Sequence, residues 1–355
     1  MAHHSTKVTI IDRHHSQYRQ WRVHKSVEHC EFSVIDSGSL AGKTAELIAV
    51  SIYFVPMCGI VGLYLKNPDL EHRLGEFVAD MLEEMGDRGP DSAGVAMYRN
   101  PVPAGGSKVS IFSADPNENW QARVTQISTH FDSEFTLNVH ASHAILASAV
   151  AVDEVGQWIR THWPDLRVMS IGKSIEIYKE KGHPNQVVER FRFRKFSGTH
   201  AVAHTRMATE SAVTTEHSHP FSTGLDLCLV HNGSLSNHNR LRQFLRRQGS
   251  EFQTDNDSEV AAGFFTWRLS KGETVIEALE SAIQHLDGFY TFAIGTNNGF
   301  SVLRDPIACK PAVLAENDDW VAMSSEYRAI ARLPGAKHSS IWEPSPAQIY
   351  SWERH

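Results

Sequence analysis

The chain has 355 residues, 41% hydrophobic and 21% charged; this is enough apolar material to bury a large core in one or two domains and excludes a disordered chain. A formal net charge of -7 argues against the basic stripe of a nucleic-acid-binding surface, so the expected partner is a small molecule or another protein. The four cysteines, Cys30, Cys58, Cys228 and Cys309, lack paired spacing and read as reduced thiols rather than a disulfide framework, which makes the cytoplasm the expected compartment.

In chain order, the first 57 residues are rich in histidine (His3, His4, His14, His15, His24, His29) and show no sustained periodicity. Three readings are open: a propeptide cleaved before Cys58, a start placed too far upstream with Met57 as the true start, or a metal-binding tail. The Met57-Cys58 pair favours the second, because a methionine aminopeptidase would process it to a free cysteine. The most apolar run, residues 47–55, is interrupted by Ser51 and falls short of the roughly 20 residues of a membrane-spanning helix. It also lies too deep for a secretory signal, so no membrane association is expected.

From Cys58 the pattern becomes regular. Ile60, Val61 and Leu63 predict a short buried strand. Asn67-Pro68 then supplies a cap with proline in the first turn, and Leu70, Leu74, Phe77, Val78, Met81, Leu82 and Met85 recur at helical spacing until Gly86. Residues 88–94, Arg-Gly-Pro-Asp-Ser-Ala-Gly, form a turn into another strand. Residues 100–198 open on Pro101, Pro103, Gly105 and Gly106, carry a helix near 155–163 and a strand near 174–178, and read as an elaboration within the domain. Strand signals return at Ala201-Val202-Ala203 and over 225–230. Helices follow over 237–247, capped by Ser236 and ended by Gly249, over 259–269 and over 274–286. Short strands close the chain at 289–294, 300–303, 312–314 and 321–323. Strands, then helices, then strands, without βαβ alternation, argue for an α+β fold of antiparallel sheets covered by helices.

Five motifs carry the chemistry: Cys58-Gly59-Ile60, residues 88–94, His204-Thr205-Arg206-Met207-Ala208-Thr209, His231-Asn232-Gly233, and Asp257-Ser258-Glu259. Taken together and in this order, they make the chain from Cys58 onward resemble a class II glutamine amidotransferase domain, one of the N-terminal nucleophile hydrolases. The resemblance implies a four-layer αββα sandwich of two antiparallel sheets flanked by helices, occupying residues 58–355, with residues 1–57 outside the fold.

It also implies site roles. A cysteine whose α-amine is free carries nucleophile and base in one residue, since that amine titrates near about pH 8. Cys58 would therefore supply the thiol and the proton shuttle, and Asn232 with the Gly233 N–H the oxyanion hole. Arg206 resembles the residue that binds the glutamine α-carboxylate, where a planar fork suits bidentate pairing. Asp257 resembles the acid that holds the α-ammonium, chosen over Asp255 because the motif is acid, small hydroxyl, glutamate. Thr209 belongs to the same substrate motif as Arg206, and His219-Pro220 matches an element that supports the pocket.

Some of these residues have plainer readings. Asn-Gly alone is a tight turn, and Asp257 ahead of an apolar run is a helix cap. Arg88 and Asp91 are open between loop scaffolding and a substrate-side role. The cluster His200, His204, His217, His219 and His231 invites a metal reading. On a strand, however, residues four apart are separated by about 13 Å, against about 2 Å from ligand to zinc, and no metal is expected.

Further matches run through Gly288-Phe289-Tyr290, Arg304-Asp305-Pro306, Lys310-Pro311 and Ser324-Ser325-Glu326. They take the resemblance to the end of the chain and leave no segment for an ammonia-accepting domain. The wording of residues 204–211 and 304–311 is most similar to the small amidotransferase subunits of glutamate-synthase-like and N-methylglutamate synthase complexes. That implies a hetero-oligomer with synthase subunits, glutamine as substrate, FMN in a partner and no cofactor in this chain. The competing functions are an amidohydrolase acting on another amide, and a non-catalytic glutamine-binding or scaffold subunit.

Overall fold

The computed structural model describes residues 58–208 and 213–354 throughout and, within 1–57, the backbone of three strands. The chain divides into two units, Met1–Val55 and Pro56–His355. In the first, Ser5–Ile10, Arg19–Lys25 and Cys30–Ser33 form an antiparallel three-stranded sheet.

The second unit is built on two antiparallel sheets. Seven strands lie in the order Ile175–Lys181, Ser92–Tyr98, His200–Arg206, Gly59–Leu65, Trp320–Ser324, Val313–Glu316 and Ser340–Trp342. Five more lie in the order Phe221–Gly224, Leu227–Leu235, Gly288–Thr296, Gly299–Arg304 and Ile349–Glu353. Side chains alternate across each strand, and Gly59–Leu65 demonstrates the result. Ile60 and Tyr64 join Val230, Phe300 and Val302 of the five-stranded sheet in one core, whereas Val61, Leu63 and Leu65 face a second core containing Leu74, Phe77 and Met81 of the helix Leu74–Glu84. The opposite face of the five-stranded sheet is covered by helices His238–Arg247, Asp257–Ser270 and Val275–His285, through Leu241, Leu245, Phe265 and Leu279 against Leu229 and Phe292. Helix, sheet, sheet, helix is the four-layer αββα sandwich.

Local chemistry moves several boundaries. The predicted first helix begins as a 3-10 turn, Pro68–Arg73, capped by Asn67, and becomes α-helical only at Leu74. The backbone of residues 193–196 presses on that junction so closely that a Cβ on Gly75 would lie 1.9 Å from the Phe193 carbonyl. Ser236 does not cap the next predicted helix; Asn237 takes the N-cap position, without a side-chain capping bond. The strand expected over 225–230 starts at Leu227, because Asp226 turns the chain at φ 50 while its carboxylate accepts from the Lys173, Ser174 and Ile175 N–H groups.

The middle of residues 100–198 is a module of its own. Strand Ser107–Phe112, helix Trp120–Phe131, strands Phe135–His140 and His143–Ser148, helix Val152–His162 and strand Arg167–Gly172 follow in a βαββαβ order. They make a four-stranded antiparallel sheet, packed on its helices through Val109, Ile111, Ile127, Leu146 and Ile159. The strand Ile175–Lys181 then returns the chain to the edge of the main sheet.

Candidate active site

Cys58 immediately precedes the central strand Gly59–Leu65. Its carbonyl oxygen accepts from Asn232 Nδ2 at 3.0 Å and from Arg88 Nε at 3.2 Å, and its Sγ lies 3.7 Å from the Met207 carbonyl oxygen. Burial pushes the thiol pKa up, against a contact with the Met207 backbone and the nearby charges of Arg206 and Arg88. A thiol raised in this way is protonated at neutral pH, so it needs a base before it can attack carbon.

Asn232 and Gly233 lie inside the strand Leu227–Leu235, paired with Thr291 and Tyr290, and not in a tight turn. Asn232 is buried, and every polar atom of its amide is engaged. Nδ2 faces two acceptors, the Cys58 carbonyl and the Ser325 Oγ at 3.1 Å, which leaves Oδ1 to accept from His204 Nε2 at 2.9 Å. Burial lowers the His204 pKa to about 3, so the ring is neutral and carries one proton. That proton must sit on Nε2 to satisfy Asn232, and Nδ1 is correspondingly buried with no partner among the described residues. Ser325 Oγ also accepts from the Ile60 N–H at 2.9 Å, tying the amide to the strand that carries Cys58. Gly233 has φ +144, and a Cβ there would lie 2.0 Å from the Phe289 carbonyl oxygen, so only glycine fits.

His219 supports this cluster from behind. Its ring stacks on His204 with centroids 4.1 Å apart, and its Nδ1 accepts from the His231 N–H at 3.3 Å. The loop carrying it is held by Lys179, fully buried, whose ammonium donates to the carbonyls of Glu216, Ser218 and Pro220. Burial lowers the Lys179 pKa to about 8.

Arg206 ends the strand His200–Arg206, is buried to within 7% and donates to the His217 carbonyl at 3.4 Å. The turn over residues 88–91 clasps the same corner. Asp91 N–H donates to the Arg206 carbonyl, Asp91 Oδ2 accepts from Ala208 N–H at 2.8 Å, and Arg88 pairs with Glu326 at 2.5 Å while reaching the Cys58 carbonyl. These contacts give Arg88 and Asp91 a scaffolding role. Thr209 lies outside the described residues.

Asp257 opens the helix Asp257–Ser270, but the cap is Asn256, whose side chain accepts from Ser258 N–H at 2.8 Å. The Asp257 carboxylate accepts instead from the Leu235 N–H at 2.9 Å, and it approaches His231 Nδ1 at 3.8 Å. Glu259 accepts from the backbone N–H groups of Gln253 and Thr254, and Arg242 donates to the carbonyls of Thr254 and Asn256, so the loop delivering Asp257 is fixed from both sides.

Cys58, Asn232, His204 and Ser325 are thus in direct contact. Arg206 bears on Cys58 through its charge, and Asp257 joins through His231, the neighbour of Asn232. His204 and Ser325 were visible only as members of motifs; the signal for both is a buried polar side chain beside Asn232, which the resemblance assigns to the oxyanion hole. Among the described residues no three metal-ligating side chains are placed to hold an ion, and no helix is long and apolar enough to cross a membrane.

Residues 204–332 match the family described as the glutamine amidotransferase domain. The chain is 51% identical to the glutamine amidotransferase-like protein GlxB of Rhizobium meliloti over 298 residues, 84% of this chain and 98% of that protein. It is 29% identical to a candidate glutamine amidotransferase of Methanothermobacter thermautotrophicus, over 83% of this chain and 99% of the relative. Among solved structures, glutamine phosphoribosylpyrophosphate amidotransferase from B. subtilis superposes with a TM-score of 0.54 at 20% identity. That match covers 83% of this chain and 47% of the solved one, so the chain spans about half the length of this structural neighbour.

Proposed function

From the premise that this chain belongs to the class II glutamine amidotransferases, with their N-terminal nucleophile hydrolase fold, we propose that it hydrolyses the side-chain amide of glutamine through a γ-glutamyl thioester on Cys58. The observation that carries this reading is the Asn232 amide, fixed by His204 with its N–H groups toward Cys58 and Ser325.

Arg206 pairs with the substrate α-carboxylate, Asp257 with its α-ammonium, and Thr209 lines the same pocket, with His219 supporting it. The free α-amine of Cys58 takes the thiol proton as sulfur bonds to the amide carbon. The oxyanion is held by the Gly233 N–H and by Asn232 Nδ2, which turns one of its two N–H groups from its present acceptor to the substrate. Collapse of the tetrahedral species breaks the carbon–nitrogen bond, and the α-ammonium returns its proton to the departing nitrogen, releasing ammonia. Water then cleaves the thioester to give glutamate and regenerate the thiol. The raised thiol pKa supports this division of labour, since an unassisted thiol would stay protonated.

The active form in this reading begins at Cys58. The ammonia passes to a separate synthase subunit of the glutamate-synthase-like or N-methylglutamate synthase kind, which carries FMN. Supporting that reading is the wording of residues 204–211 and 304–311. A second reading, glutamine binding without turnover, is favoured by the Met57-Cys58 peptide bond, which makes the Cys58 nitrogen a non-basic amide while it persists.

The test is release of ammonia and glutamate from glutamine by protein with Cys58 at its amino terminus. Stoichiometric release abolished by Cys58→Ala supports the proposal. Tight glutamine binding without release would replace it with the second reading.

A further inference from the structure

A cavity of about 420 Å³ lies where the inserted βαββαβ module meets the main sheet. Such junctions are preferred places for small-molecule sites, and this volume is in their range. The module contributes Asn138, Val139 and His140 from the end of one strand; the main fold contributes Arg99, Arg192 and Lys195. Although the chain is acidic overall, the lining carries three cationic side chains, and Glu176 is the carboxylate among the lining residues.

That carboxylate is already engaged. Glu176 is buried with Lys108, whose ammonium donates to it at 2.8 Å, and it accepts from the Tyr178 hydroxyl at 2.8 Å. Arg99 approaches it only at 3.4 Å, and the Arg99 Nε is buried without a hydrogen-bond partner among the described residues. The guanidinium lies over the Phe196 ring, 4.4 Å from its centroid, which fixes the plane of its donors. His140 stands edge-on to both Tyr178 and Phe196, giving the cavity an aromatic wall. Burial lowers the His140 pKa; the Glu176 carboxylate opposes this and the charges of Arg99 and Arg192 add to it, so both guanidinia bear on this space beside the paired carboxylate.

We propose that this cavity is a binding site for a small, multiply charged oxyanion, phosphate or polycarboxylate, separate from the glutamine site. The anion would draw on the unpartnered Arg99 Nε–H and the charges of Arg192 and Lys195, guanidinium being the group that pairs with both anion types. Its occupant would touch the module and the main sheet at once.

The experiment is isothermal titration calorimetry of the full chain at low ionic strength with sodium pyrophosphate and, separately, with sodium citrate; the anion that binds identifies the chemistry. Saturable binding of one or both is expected. Arg192→Gln combined with Lys195→Gln, two exposed residues, should weaken it about ten-fold or more, whereas Arg246→Gln with Arg247→Gln, equally exposed and on another helix, should not. Absence of saturable heat with both anions would overturn the proposal, as would equal losses in the two double variants, because the effect would then be net charge and not a site.

Discussion

His204 Nε2 stands 2.9 Å from Asn232 Oδ1, and this contact, with the Cys58 carbonyl on the other side, holds the Asn232 amide in one orientation. With the ring neutral and its proton on Nε2, the amide oxygen is consumed and both amide hydrogens turn toward Cys58 and Ser325. In the proposed mechanism His204 is therefore a positioning residue, acting on the oxyanion through Asn232.

His204→Ala should lower kcat by about ten-fold or more with KM for glutamine little changed, since the donor that it orients acts on the transition state. His204→Gln, whose amide can still donate to Oδ1, should recover part of the loss. Asn232→Ala should cost about 10²- to 10³-fold in kcat. Steady-state assays of ammonia release check all three variants, and a purely structural role for His204 would instead lower the folded fraction without this kcat-only pattern.

Arg206→Lys should raise KM for glutamine strongly, with a smaller effect on kcat, because an ammonium cannot reproduce the two parallel N–H bonds of the guanidinium to a carboxylate. The same assay reads it out. An unchanged KM would put the substrate carboxylate elsewhere.

Acid should destabilise the fold well above the range where carboxylates titrate. Burial pushes the imidazoles of His143, His200 and His204 down to about 3 from 6.5. Between those values the unfolded chain binds protons that the folded chain refuses, so stability is full above about 6.5 and falls as pH drops toward 3. Each histidine withdraws on the order of 2 kcal/mol by pH 5. Urea denaturation at pH 7 and pH 5 should give a clearly lower midpoint at pH 5; equal midpoints would mean that these rings are protonated in the folded state.

Much of the fold was legible because its strands and helices have strong periods. The helix that packs on the central strand announces itself through Leu74, Phe77, Val78 and Met81, all of which are buried. The inserted module was not legible as a unit. Its strand Phe135–His140 buries only Phe135, so the alternation that marks a strand is nearly absent, and its first strand follows a Pro/Gly loop.

The site divides in the same way. Its motifs stand out as residue types, but their joining depends on contacts across long sequence separations. Ser325 reaches Ile60 across 265 residues, and His204 reaches Asn232 across 28 and between two sheets. Such pairings follow from strand register and sheet stacking, which local patterns do not specify. Asp257 illustrates the limit: the helix start was legible, but the cap predicted for it belongs to its neighbour Asn256.

A requirement of catalysis for the α-amine of Cys58 is tested by pairing intact mass with glutaminase rate. Protein retaining all 355 residues is compared with protein whose intact mass confirms Cys58 as its first residue. Ammonia release is expected only from the second, with the first still binding glutamine. Equal rates from a chain whose mass shows residues 1–57 still attached would contradict it.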